Sequence, residues 1–406
     1  MKIKNHNINT VHLYYAFSFF KAFALFSAVL IPFFTIWGGI SLFKVQVLQS
    51  WFMFWIFILE IPTGVVADHF GRKYSLAIGG IIIAFAAILY GSVPRFELFL
   101  LGEFLFAIAI AFMSGADDAL LYDALKESDR EKDSKKVFGR AKSFEYLAMF
   151  ISAPLGGIVA AKFGLNAPML FSCVPFLLAA LIASLMNEPK RYQMTSESRR
   201  YLDIAKKGIS FLRYHKKLRI IAIDGVLIAA AAYFVIWFYQ TLLTRLNVPV
   251  FYFGYFHAFL VATEIIITSN FVRLEKLFGS GKNFLKFGAL ATGTTFLLVA
   301  IIPNIFTIGL FLLMAGGFGL TRIELMSAYM NKFIPSEQRA TILSSISMLK
   351  RFILIVLNPI VGFIANKSLV TALCLIGFLS LSVFVFSPLK KETLEPLDET
   401  GSNVVP

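Results

Sequence analysis

Residues 74–125 read YSLAIGGIIIAFAAILYGSVPRFELFLLGEFLFAIAIAFMSGADDALLYDAL: an apolar run over 74–93, an interruption at Pro94 and Arg95, and a second apolar run over 97–125. Each run approaches or exceeds the roughly 20 residues a helix needs to cross about 30 Å of hydrocarbon. Neither alternates polar and apolar residues as a membrane strand must, and a helix satisfies its own backbone groups where no water can. The pair predicts two membrane helices joined by a short turn. The pattern repeats outward in both directions, giving twelve expected spans at about 11–36, 44–66, 74–93, 97–125, 140–163, 168–187, 219–243, 249–272, 283–302, 304–331, 340–364 and 369–387. With 58% hydrophobic and 15% charged residues over 406 positions, the chain cannot be sorted into a water-facing surface and one buried core. The fold class expected is an all-α polytopic membrane protein, its twelve transmembrane helices arranged as two pseudo-symmetric six-helix bundles.

Lys and Arg residues set the orientation, because short loops rich in them stay on the cytoplasmic side. With the N-terminus inside, the inner segments collect Arg72, Lys73, Lys126 to Lys142, Lys190 to Arg219 and Arg273 to Lys286. The outer segments keep only Lys44, Arg95, Lys162, Arg245 and Lys367. Both termini are expected in the cytoplasm, and the net charge of +14 points to an anionic lipid bilayer and away from nucleic acid. The first apolar stretch is too long for a cleavable signal and lacks a small-residue cleavage site, so it is expected to remain as the first helix. Residues 188–218 are the one long hydrophilic interior stretch. The expected organisation is a bundle over 1–187, a basic cytoplasmic linker over 188–218, a second bundle over 219–390 and a disordered tail over 391–406. Ala153-Pro154-Leu155-Gly156-Gly157 resembles Asn358-Pro359-Ile360-Val361-Gly362, which supports internal duplication and a midplane site between the halves. Cys173 and Cys374 lie mid-span, where a thiol acts as a small hydrophobe, so neither a disulfide nor a metal site is expected.

At the inner end of the second span the chain reads Gly64-Val65-Val66-Ala67-Asp68-His69-Phe70-Gly71-Arg72-Lys73. This resembles G-x-x-x-D-x-x-G-R-K, the loop signature of the major facilitator superfamily, and Glu60-Ile61-Pro62-Thr63 with Ala119 to Leu125 looks like a bacterial branch of it. Gly64 and Gly71 permit close contact and a tight turn, and an aspartate beside Arg72 and Lys73 makes a charge-assisted latch that can break when the halves rock. The resemblance implies that Asp68 and Arg72 work with Asp123 near the end of span four. The alternative is that Asp68 and Arg72 are a helix cap and a positive-inside anchor. Two features depart from the drug/proton antiporters of the family. Glu103 stands where many of them carry an arginine, and the helix-five signature is only partly present.

Ionisable residues inside spans are costly unless they are paired or face water. Helical spacing puts Ser114, Asp118 and Tyr122 on one face of span four and Arg322, Met326 and Tyr329 on one face of span ten, with Asp117 and Glu324 pointing elsewhere. In the resembled fold helices four, five, ten and eleven border the central cavity, which implies that Asp118, Glu145, Arg322 and Lys350 form a charged ring near the midplane; the alternative is buried structural ion pairs. Glu264, deep in span eight without a basic neighbour in its own helix, reads as a proton carrier or as a hydrogen-bonding acid. Lys21 and Asp224 are set against each other at the inner gate. In Trp237-Phe238-Tyr239-Gln240 the resemblance implies that Gln240 faces the pathway, while an interfacial belt is the preferred account of Trp237. His257 is expected to be solvated.

No nucleotide loop, zinc spacing or nucleophile elbow is present, so the chain is not expected to be an enzyme and no cofactor is expected. The function implied is a secondary active transporter of the plasma membrane, a bacterial inner membrane. It would move a small-molecule substrate by alternating access with protons as coupling ion, each chain working as a monomer. Efflux is the direction the resemblance favours. Uptake of an anionic metabolite or siderophore-like chelate is the first alternative, and a non-transporting receptor the second.

Overall fold

A computed structural model describes residues 2–189, 210, 213–335 and 338–394, except for the side chains of 2–9, 60–70 and 340–341. Among the described residues every regular element is helical. Twelve helices are long and apolar enough to cross a membrane: Thr10–Trp37, Leu42–Leu59, Arg72–Ser92, Phe96–Glu127, Glu131–Phe163, Ala167–Leu185, Lys216–Arg245, Val250–Ser269, Gly281–Ile301, Ile305–Met330, Ile342–Lys367 and Leu369–Phe386. They are numbered span one to span twelve below. Most of the expected linker and the tail after Leu394 lie outside the described residues.

The chain divides into two compact units, the first formed by 1–199 with 248–258 and the second by 200–247 with 259–406. In the first, span three packs on spans four and six, span two on span four, and span one on spans five and six. In the second, span nine packs on spans ten and twelve, and span seven on spans ten, eleven and twelve.

Spans one and four of the first unit are interrupted. Span one is helical over Lys2–Ala22, loses its helix at residues 23–26, and resumes in short irregular turns to Trp37. An open backbone group inside a membrane protein must find a partner. The amide of Leu25 finds it in the buried Ser172 hydroxyl of span six, at 3.0 Å. The Leu25 carbonyl lies so close to Gly156 of span five that a side chain there would collide with it, so the approach requires glycine. Span four breaks at Ser114 and Gly115, between the helices Phe96–Met113 and Ala116–Glu127. Gly115 has φ +77°, a left-handed conformation that costs other residues about 1–2 kcal/mol. The Ser75 hydroxyl of span three takes up one freed carbonyl, that of Phe112, at 2.6 Å.

The segment after span twelve departs from expectation. Residues 391–393 form a turn, and Leu389 and Leu394 are buried in a cluster with Leu218, Ile221 and Ile334. Burial of these two leucines on the apolar floor favours order at the start of the expected disordered tail, up to Leu394.

Candidate transport site

The interruptions of spans one and four meet in charge. Lys21 sits in the last turn of its helix and Asp117 and Asp118 in the first turn of Ala116–Glu127, the signs the helix dipoles favour at those ends. The Lys21 ammonium donates to the Asp117 carboxylate at 2.9 Å and stands 3.0 Å from Glu145 of span five. Glu145 also takes Lys142, one turn away, at 3.2 Å. Asp118 lies within the field of Lys21, Glu145 and Lys142. Its own carboxylate accepts no hydrogen bond among the described residues, and its backbone amide is held by Asp117 at 2.9 Å.

Ser114, Gly115, Asp118 and Tyr122 are all exposed along one side of span four, Tyr122 to 45%. Irregular backbone and an unpaired carboxylate at membrane depth are tolerated against protein or water, not against lipid. Among the described residues, protein does not cover them. Asp117, which the helical wheel turned away from the site, is the residue that binds Lys21. One step along a helix rotates a side chain by about 100°, which carries Asp117 onto span one.

At the far end of span four, Arg72 bonds Asp123 through its guanidinium and also donates to the Ala119 carbonyl at 2.8 Å. Lys73 places its ammonium 5.0 Å from the Tyr74 ring centre. The side chains of Gly64 and Asp68, the rest of the expected latch, lie outside the described residues. A residue sequence reasoning missed completes this end: the Glu188 carboxylate accepts from the backbone amides of Arg72 and Lys73 at 2.8 and 2.9 Å. The only hint in the sequence was an acidic residue opening a basic segment.

In the second unit, Arg322 of the expected ring is engaged within its own bundle. Arg322 is 2% exposed and its guanidinium binds Asp224 of span seven and the Leu285 carbonyl of span nine. Ser387 donates to the other Asp224 oxygen at 2.6 Å. The face carrying Arg322, Met326 and Tyr329 is bundle interior, because a charge already neutralised by Asp224 can be enclosed where an unpaired one cannot. Lys21 and Asp224, set against each other at the inner gate, each bind partners within their own unit, Lys21 with Asp117 and Glu145 and Asp224 with Arg322. The exposed side of span ten carries Glu324, whose charge acts on the half-buried Lys350 together with that of Arg351. Glu264 is half-buried in span eight.

Gln240 is fully buried and donates to the Ile236 carbonyl of its own helix at 3.3 Å. Trp237 is 4% exposed, so it is a bundle residue and no interfacial anchor, and His257, at 5%, is enclosed where solvation was expected. Glu103 is buried too, its Oε1 accepting from Gln49 at 2.8 Å and Tyr90 at 2.9 Å. That network ties spans two, three and four by neutral donors.

A family model of the Major Facilitator Superfamily matches residues 11–357. An uncharacterized MFS-type transporter of Methanocaldococcus jannaschii, MJ1560, is 24% identical over 265 residues, which are 62% of this chain and 66% of that protein. The chain thus spans just under two thirds of that relative. Among solved structures, the nucleoside transporter NupG aligns with TM-score 0.77 at 15% identity, covering 95% of this chain and 98% of its own. A bacterial homolog of the human lysosomal transporter Spinster, inward-facing and occupied, aligns with TM-score 0.71 at 16% identity, covering 94% of this chain and 93% of its own. At these identities the two structures carry the fold.

Proposed function

Because this chain belongs to the major facilitator superfamily, and is therefore a multi-pass membrane transporter and not an enzyme, we propose that it is a proton-coupled secondary transporter of a small organic molecule, neutral or cationic. The observation that carries this reading is the exposed break of span four, where Lys21 pairs with Asp117 and Glu145 beside Asp118. Interrupted helices at membrane depth build solute and ion sites, since freed backbone groups and half-helix ends bind what passes. Three carboxylates against the ammonium groups of Lys21 and Lys142 leave one negative charge over, and Asp118 is the carboxylate left without a partner. It is assigned the substrate or the proton, and the Lys21 pairs are assigned the exchange between them. The anionic-substrate alternative drew on Arg322 and Lys350, and Arg322 is already engaged by Asp224. In this reading the protein lies in the plasma membrane with both termini cytoplasmic, by the Lys and Arg asymmetry of its loops.

The test is proteoliposomes loaded with a pH-sensitive dye and challenged with tetraphenylphosphonium, uridine and citrate as cationic, neutral and anionic probes. A cation or a neutral solute should move protons, and the sign of the lumenal pH change gives the direction of exchange. Asp118→Asn and Lys21→Gln should each abolish that movement in protein that still unfolds cooperatively. Undiminished proton movement in Asp118→Asn, or a response to citrate alone, overturns the assignment.

A further inference from the structure

We propose that Glu188 is a positioning residue of the transport cycle: it seats the start of span three so that Arg72 holds the half-helix Ala116–Glu127 in place. A helix normally receives its cap from a side chain just before it. Span three has Gly71 there, which has no side chain to give and adopts φ +114°. The cap arrives instead from Glu188, 116 residues beyond Arg72, one carboxylate oxygen to each of two successive amides. An ionised carboxylate at a helix N-terminus makes charge-assisted bonds and meets the positive end of the dipole. A Cβ at Gly71 would stand 3.0 Å from the Tyr74 ring and 3.4 Å from that carboxyl group, so the positive φ, more than the glutamate, calls for glycine here.

Arg72 makes the arrangement more than a cap. Its amide is held by Glu188, while its guanidinium holds Asp123 and the Ala119 carbonyl, both on the half-helix that begins with Asp117 and Asp118. One residue is thus bound at its backbone from beyond span six and at its side chain to span four. Without Glu188 the turn at residues 71–73 loses its seat, and the Arg72 side chain cannot hold the half-helix at a fixed height.

The proposal rests on the reading that this face of span four meets water. In a Cys173→Ala, Cys374→Ala background, two reporters, Ser114→Cys and Tyr122→Cys, are labelled with a membrane-impermeant maleimide in sealed vesicles of each orientation. Glu188→Ala should change the labelling rate of both by about tenfold, the usual effect of losing a charge-assisted bond, and Arg72→Ala should do the same. The double variant should go no further than either single one, since both cut the same chain of contacts. Glu188→Asp, which keeps the charge, should restore most of the effect. A fall in unfolding temperature with unchanged labelling at both positions would make Glu188 a helix cap only and overturn the proposal. Additive effects in the double variant would overturn it as well. Complete protection of both reporters in the otherwise unchanged parent would instead overturn the water-facing reading, and with it the site this proposal serves.

Discussion

Replacing Arg322 by Met strips Asp224 of its counter-ion in a place where the two side chains are 2% and 4% exposed. Removing one partner of a buried ion pair costs about 3–5 kcal/mol, because the charge left behind keeps its desolvation and loses its attraction. Ser387 offers Asp224 one hydrogen bond, which offsets only part of this. For a unit of this size each kcal/mol lowers the unfolding temperature by about 2–4 °C, so Arg322→Met should unfold about 6–20 °C below the parent. Asp224→Leu should fall comparably, leaving a guanidinium with the Leu285 carbonyl alone. The double variant removes both charges and should recover at least half of the loss, as apolar replacements of buried pairs commonly do. The two native thiols, Cys173 and Cys374, lie partly buried in spans six and twelve, so a thiol-reactive fluorophore reports unfolding without added labels. A double variant as unstable as the worse single one would refute the view that Arg322 exists to neutralise Asp224. A stable double variant that no longer responds to the transported probe would return Arg322 to the binding site.

Gly115→Ala places an L-residue at φ +77°, at a cost of about 1–2 kcal/mol unless span four straightens. Straightening withdraws Asp118 from water, so transport rate should drop by more than the unfolding temperature accounts for, and full transport by this variant would show that the break is dispensable. Leu394→Asp should lower the unfolding temperature by several degrees, since the buried leucine contributes about 1.5–3 kcal/mol. Lys391→Asp, on the exposed side of the same turn, should leave it within about 2 °C, and equal effects from the two would refute the docking of this segment.

The number and order of spans were legible because lipid imposes one length and one periodicity on every helix that crosses it. Helix breaks were not. Span four reads as one apolar run because Ser114 and Gly115 are both tolerated inside membrane helices, and only the acidic pair that follows hints at a new N-terminus. Lys21 was set against Asp224 because its own partners lie 96 and 124 positions away, on spans four and five. On span ten the periodic face was drawn correctly as a face but assigned to the pathway, whereas a partner on span seven turns it inward. A helical wheel separates faces without saying which neighbour each one meets. Glu188 was invisible because it binds backbone amides, which every residue carries and no motif records.

The Leu25 amide acquires its Ser172 partner from a point 147 residues further along the chain. At ribosomal speeds of about 5–20 residues per second, that hydroxyl emerges roughly 7–30 s after the first segment has been made. The bond that closes the break of span one, just past Lys21, is therefore completed only after the sixth span has been made.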